Sequence, residues 1–374
     1  MTASSSRRRR LSALLLGALL GGPALAEVSA RLALLPLENL SGLEEAAQVV
    51  GPRLAEALAR RGWRPIPGEE VERILREERA RRGDTLSDRA RERLLVELDA
   101  GGVAAVAILV WLPGRNPIVS LSARILGPEG AEAGAVGSVS AAELERPFGL
   151  GPPIEIEELA DRAIERLARA LPAPGESGRP AERRHAPVGG RDPVVLRSPG
   201  VFDDGPLRIC LLPFGNDARD RGAPRILAEV LARRLRASGR FEPVEPAELR
   251  AALRAERVPS LRFLDATALR AVAARLGTPY FLRGTIWQWV EGSPASSGPV
   301  PEVELELELV DVERGRTVWA AHHGRRGDDY VGLFLRGRIG TVAGLLDQVV
   351  AEILAASQRA DPVRPQPLSS EIRP

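Results

Sequence analysis

The chain has no lysine: all 52 of its basic residues are arginine. A glycine-rich phosphate loop that depends on lysine is therefore excluded. Cysteine occurs once, at Cys210. One thiol builds no internal disulfide framework, and its place inside the apolar run Ile209 to Leu212 suits a buried, inert side chain. Only three histidines are present, at 185, 322 and 323. His185 lies in a polar stretch. His322 and His323 are adjacent in a strand pattern, so they point to opposite faces and do not easily share a metal. No nucleophile-elbow pattern surrounds the serines of Gly292 to Gly298. Beyond residue 22 no stretch has the length and apolarity of a membrane helix. With no catalytic set in view, the expectation is a non-enzyme with no cofactor and no bound metal.

What is present begins with a leader. Arg7 to Arg10 form a cationic region, Leu11 to Gly22 an apolar one, and Ala24-Leu25-Ala26 a small-x-small cleavage site. Residues 1–26 read as a secretory signal peptide, with an uncleaved anchor as the alternative. The whole chain carries a formal charge of +2; the leader holds four Arg and no acid, so the mature chain is 2 − 4 = −2. That charge gives no ground for nucleic-acid binding, which needs a concentrated positive face. No cysteine stands directly after the leader, where Glu27 lies, so a lipid anchor on a cysteine at that place is not expected. A periplasmic or secreted location is, with outer-membrane association left open.

The length suggests two domains, and a break is visible. Residues 173–206 are rich in Pro, Gly and charge and read as a disordered linker between residues 27–172 and 207–358. Residues 359–374 read as a disordered tail. Limited proteolysis is expected to cut within the linker and leave two resistant halves.

The two halves carry the same text. Leu34 to Asn39 reads LLPLEN and Leu211 to Asn216 reads LLPFGN, with Pro36 and Pro213 separated by 213 − 36 = 177 residues. Each proline cannot donate to a ladder, and Asn39 and Asn216 can bond local backbone and start a turn. LAEALARR (Leu54 to Arg61) is followed by LAEVLARR (Leu227 to Arg234), with helical spacing in both. Gly62 and Gly239 stop these helices. Third-helix patterns at Ala90 to Leu98 and Ala268 to Leu276 run into apolar strands at Val103 to Leu112 and Tyr280 to Val290. Next come period-two strands. Val119, Leu121, Ala123 and Ile125 alternate with Ser120, Ser122 and Arg124; Val303, Leu305, Leu307 and Leu309 alternate with Glu304, Glu306 and Glu308. The alternation predicts one buried and one solvated face in each. A returning strand and an amphipathic helix close each copy, at Ile156 to Leu171 and Val342 to Leu354. The order strand, helix, strand, helix, helix, strand, strand, strand, helix occurs twice. The expected fold class is α/β: two similar compact domains, each a small mixed sheet packed by about four helices.

Taken with their order, LLPLENLSG, LLPFGND, RLGTPYFLRGTI (Arg275 to Ile286) and LELVDVERGRTVWAA (Leu307 to Ala321) resemble a bacterial envelope superfamily. Its members include the TolB amino-terminal domain, the curli secretion subunit CsgG and the LpoB-like lipoprotein activators of penicillin-binding proteins. Gly127 stands in the first copy where the second has the turn Asp311. The resemblance implies a compact α/β fold, an envelope location and protein binding rather than chemistry. The function it implies is a periplasmic adaptor or scaffold that binds other envelope proteins in assembly or secretion. The alternative is a subunit of an outer-membrane curli-type channel; a homo-oligomer is compatible with both. Trp287 and Trp289, taken to share one strand face about Gln288, are the candidate partner-binding residues, with core packing as the competing reading. The acidic row Glu302 to Glu308 reads as a solvated strand face.

Overall fold

The computed structural model describes residues 29–80, 86–114, 117–127, 130–141, 154–176, 187, 190, 192–198, 205–259, 265–292, 300–332 and 337–359. The leader, most of the expected linker and the tail beyond 359 lie outside the described residues.

The first repeat runs β1 (Arg31–Leu34), β2 (Glu38–Asn39), α1 (Glu44–Arg60), β3 (Arg64–Pro65), α2 (Gly68–Glu77), α3 (Asp88–Glu97), β4 (Gly102–Leu112), β5 (Ile118–Gly127), β6 (Gly130–Ser140) and α4 (Ile156–Ala170). After β7 (Val194–Arg197) the second repeat follows: β8 (Leu207–Leu211), β9 (Gly215–Asn216), α5 (Ala223–Ser238), β10 (Phe241–Pro243), α6 (Pro246–Ala255), α7 (Ala266–Leu276), β11 (Tyr280–Val290), β12 (Glu302–Asp311), β13 (Arg316–Arg326) and α8 (Val342–Arg359). The sheets are separate and identically connected. Their orders are β3-β1-β4-β5-β6 and β10-β8-β11-β12-β13, the second extended by β7, with β2 and β9 pairing β4 and β11. The first three strands of each are parallel and the rest antiparallel. The expected pair of α/β domains, each a mixed sheet with four helices, is thus what the chain forms.

The repeated words do repeated work. The Leu35 and Leu212 amides donate to the Ala104 and Leu282 carbonyls at 2.9 Å, then proline interrupts the ladder. Asn39 donates to the Leu43 carbonyl at 2.6 Å and Asn216 to the Asp220 carbonyl at 2.7 Å, so each asparagine closes the turn into its helix. Ser87 and Asp265 cap α3 and α7, accepting from the amides three residues on at 3.1 and 2.7 Å. Past those helices the chain needs one left-handed residue. The second repeat supplies Gly277 (φ 66°), the first Asp99 (φ 47°).

In the first repeat, α1 and α4 cover one sheet face through Leu32, Val106, Val119 and Leu121. Helices α2 and α3 cover the β1 end of the opposite face through Ala33, Leu35, Val103 and Ala105. In the second, α5 and α8 cover Ile209, Leu305, Leu307 and Leu309, while α6 and α7 cover Cys210, Phe281 and Val310. Cys210 is fully buried, and burial pushes its thiol pKa up to about 12.

Gly137 lets α4 lie directly on its sheet: a Cβ there would stand 2.2 Å from the Ala163 carbonyl oxygen. At the corresponding place in β13 the second repeat has His323, which bonds Glu352 of α8 at 2.8 Å. Glu352 also accepts from Arg325 (2.8 Å) and Tyr330 (2.6 Å). Burial raises the Glu352 pKa, but these hydrogen bonds outweigh it and hold the carboxyl at about 2.

Residues 194–197 correct the expectation of a disordered linker throughout 173–206. They form an antiparallel edge strand on β13, pairing Val194 with His322 and Arg197 with Trp319. Nor is 173–176 detached: the Trp63 indole donates to the Pro172 carbonyl at 3.0 Å, and Arg61 pairs with Glu176. No helix among the described residues is long and apolar enough to cross a membrane.

Candidate functional site

Both long β4-type strands contain one extra residue. The β4–β5 register shifts between Ile108 and Val110, and the β11–β12 register between Ile286 and Gln288. Leu109 and Trp287 are thus the bulged residues of equivalent strands. The bulge overturns the expectation that Trp287 and Trp289 share a face. Trp289 packs into the core at 8 % exposure and its counterpart Trp111 at 3 %; Trp287 is turned outward at 43 %. The order of residues could not show this, because strict alternation puts both on one side and only the unpaired residue breaks it.

The equivalent faces have opposite fates. In the first repeat Ala107 and Leu109 are buried in the same apolar cluster as α5 and α8 of the second repeat, with Val110 and Val136 packed against it. Ser120 and Ser122, expected on a solvated face, are buried too. Polar pairs seal the contact. Arg124 donates to Glu245 at 2.8 Å, and Ser138 to Thr341 at 2.6 Å while also bonded to Ser120 at 2.6 Å. Arg225 pairs with Glu38. Gly134 leaves room for Arg233, whose Cγ would lie 2.9 Å from a Cβ there. Arg233 and Arg234 both pair with Asp347, and burial lowers each guanidinium pKa to about 10. A signal for this contact was in the sequence: the central off-face residues of β5 are Ser120, Ser122 and Arg124, whereas those of β12 are Glu304, Glu306 and Glu308.

In the second repeat no helix covers the same face among the described residues. The counterparts of Ser120, Ser122 and Arg124 are Glu304, Glu306 and Glu308, which, with Glu302, are half-buried. Arg283 pairs with Glu308 at 2.6 Å and His322 with Glu304 at 3.0 Å, both near the surface. His323 points inward, as adjacent strand residues must. Trp287 flanks the acidic strand on one side. On the other, β7 presents Val194 at 61 % and Leu196 at 54 % exposure.

One half of the chain is similar to PelC. The PelC dodecamer structure from Paraburkholderia phytofirmans matches at 20% identity and TM-score 0.31, over 44% of this chain and 96% of that one. The LpoB C-terminal domain from Escherichia coli matches at 18% identity and TM-score 0.26, over 34% and 85%. Protein XCC0632 from Xanthomonas campestris matches at 14% identity and TM-score 0.25, over 45% and 96%. No family model and no curated protein match the chain.

The expected turn residues Pro36, Asn39, Pro213 and Asn216 lie at the strand-to-helix corners of the two repeats. Asn39 adjoins the covered face, because the Leu40 amide beside it donates to Ile108 at 2.9 Å and Leu40 packs against the shared cluster. Another site lies at the start of α8. The Glu291 carboxylate accepts the Val342 amide at 2.9 Å, a favourable place for an anion. Burial nonetheless dominates and raises its pKa to about 7.

Proposed function

We propose that the protein is a non-enzymatic adaptor of the cell envelope, whose second repeat offers a sheet face to another protein. One observation carries the reading: the face formed by β4, β5 and β6 is covered by α5 and α8, whereas among the described residues no helix covers its counterpart on β11, β12 and β13. The fold thus already uses this face as a contact between its two repeats. The bare copy carries three of the exposed large apolar side chains, Trp287, Val194 and Leu196, grouped on one surface. Tryptophan at such a place is a common anchor of binding energy. The leader read in the sequence supports the envelope location.

The test is site-specific photo-crosslinking in cells, with the reactive residue placed at 287 and, as a control, at Val96, which is exposed at 73 % on the remote helix α3. Discrete protein adducts at 287 and none at 96 are expected. Equal labelling at both positions, or none at 287, overturns the proposal.

A further inference from the structure

The chemistry of the bare face says what kind of partner fits it, and this inference rests on the docking reading above. The first candidate is a second copy of the chain, its α1 and α4 seated as α5 and α8 are seated internally. The pairing registers allow that contact to be transposed residue by residue. On the sheet, Glu38, Arg124, Gly134 and Ser138 correspond to Gly215, Glu308, Ala320 and Gly324. On the helices, Arg225, Glu245, Arg233 and Thr341 correspond to Pro52, Pro67, Arg60 and Glu155.

None of the internal polar contacts survives the transposition. The Arg225–Glu38 ion pair becomes Pro52 against Gly215. The Glu245–Arg124 pair becomes Pro67 against Glu308, leaving a carboxylate without its cation. The Thr341–Ser138 hydrogen bond becomes Glu155 against Gly324, beside Glu304, so two like charges meet. The space Gly134 leaves for Arg233 is filled by the methyl group of Ala320. A face whose every matched contact has been lost or reversed discriminates against its own kind.

What remains is an acidic strip with apolar shoulders. Glu302 and Glu306 have no ion-pair partner among the described residues, while Glu304 and Glu308 have surface-exposed ones. Trp287 stands on one flank and Val194 and Leu196 on the other. The first repeat shows the shape of occupant this face accepts: two helices laid across it, α5 bringing Arg225 and Arg233 to the contact. We propose that the bare face binds a cationic, amphipathic helical surface of a different protein, with arginine or lysine over the glutamate row and apolar side chains on Trp287 and Leu196.

The experiment uses the chain from residue 27 onward and two synthetic amphipathic helical peptides. They share one apolar stripe and differ only in carrying arginine or glutamate on the polar face. Binding is read by fluorescence anisotropy, and self-association by sedimentation. The arginine peptide is expected to bind and the glutamate peptide not. Raising the salt, or the double reversal Glu304→Arg with Glu306→Arg, should weaken binding about tenfold or more, as should Trp287→Ala. These side chains lie at the surface, so circular dichroism should stay unchanged. Equal binding of both peptides, binding of neither, or binding that ignores all three substitutions overturns the cationic assignment. Concentration-dependent self-assembly abolished by Glu306→Arg overturns it in favour of a second copy. In each of those cases crosslinks at position 287 would still uphold the docking reading, and their absence would remove that as well.

Discussion

The two repeats share strand order, a bulge, helix caps and corner asparagines, yet one sheet face is covered by helices and its counterpart, among the described residues, is not. The residues that set the fold are those that recur: the apolar in-facing rows, the prolines, the asparagines and the capping groups at 87 and 265. Those that differ are the outward rows, serine against glutamate on β5 and β12, and Leu109 against Trp287 at the bulge. The two repeats therefore share an interior and differ at the surface. One copy became a socket for its sibling, and the other a surface with different charge. The comparison also separates two ways of fixing the last helix to its sheet. The first repeat removes a side chain at Gly137 so that backbone meets backbone; the second buries a charged cluster around Glu352.

The largest effect should come from that cluster. Glu352→Ala leaves the inward-facing Arg325 and His323 without their carboxylate, and should cost about 3–5 kcal/mol in urea unfolding of the second repeat. The equivalent helix position in the first repeat is Arg166, an exposed residue that donates to the Ser138 carbonyl, so Arg166→Ala should cost well under half as much. Similar losses in the two would remove the contrast.

The contact between repeats can be broken next. Arg124→Glu sets a carboxylate against Glu245, and should cost about 2 kcal/mol of coupling. In calorimetry the variant should show the repeats melting in two resolved steps, where the parent chain melts more cooperatively. The mirrored change Glu308→Arg in the second repeat should cost under about 1 kcal/mol and leave the coupling between repeats unaltered, because it breaks only a near-surface pair with Arg283.

Acidity distinguishes two carboxylates at α8: Glu291, which follows β11 and accepts from the first amide of the helix, and Glu352 within it. The Glu291 pKa is raised from 4.5 to about 7, so the folded chain holds that proton more tightly than the unfolded chain. Stability from this group is complete below about pH 4.5 and is lost as pH rises through about 7, on the order of 3 kcal/mol. For Glu352, held at about 2, the sign is opposite: its contribution is present above pH 4.5 and lost as pH falls towards 2. Glu291→Gln should flatten the upper slope of stability against pH and leave the acid limb in place. An unchanged upper slope would mean another group governs it.

The smallest effect concerns a turn. Asp99 holds the left-handed conformation that Gly277 holds in the second repeat, so Asp99→Gly should gain up to about 1 kcal/mol in thermal unfolding. Gly277→Asp should lose a similar amount, and if both changes destabilise, the two turns are not equivalent.

Much of the fold could be read from the residues, because helical and strand periods are local properties of the chain. Element order, the corner asparagines, the buried thiol and the inward rows of β5 and β12 all followed from spacing. The candidate site was only half legible. Trp287 could be named, but the bulge that parts it from Trp289 depends on cross-strand pairing, which no single strand contains. The edge strand Val194–Arg197 was hidden within a Pro- and Gly-rich stretch because its stability comes from β13 and not from its own sequence.

By itself the sequence determined that the chain would make one α/β module twice, and which side chains of each strand would stand together on a face. Only the tertiary structure decided which of those faces would be dry. Strand periodicity sorts residues into two sides, but burial depends on what arrives from elsewhere in the chain. Here Ser120 and Ser122 met the helices of a distant repeat, whereas among the described residues no helix covers Glu304 and Glu306.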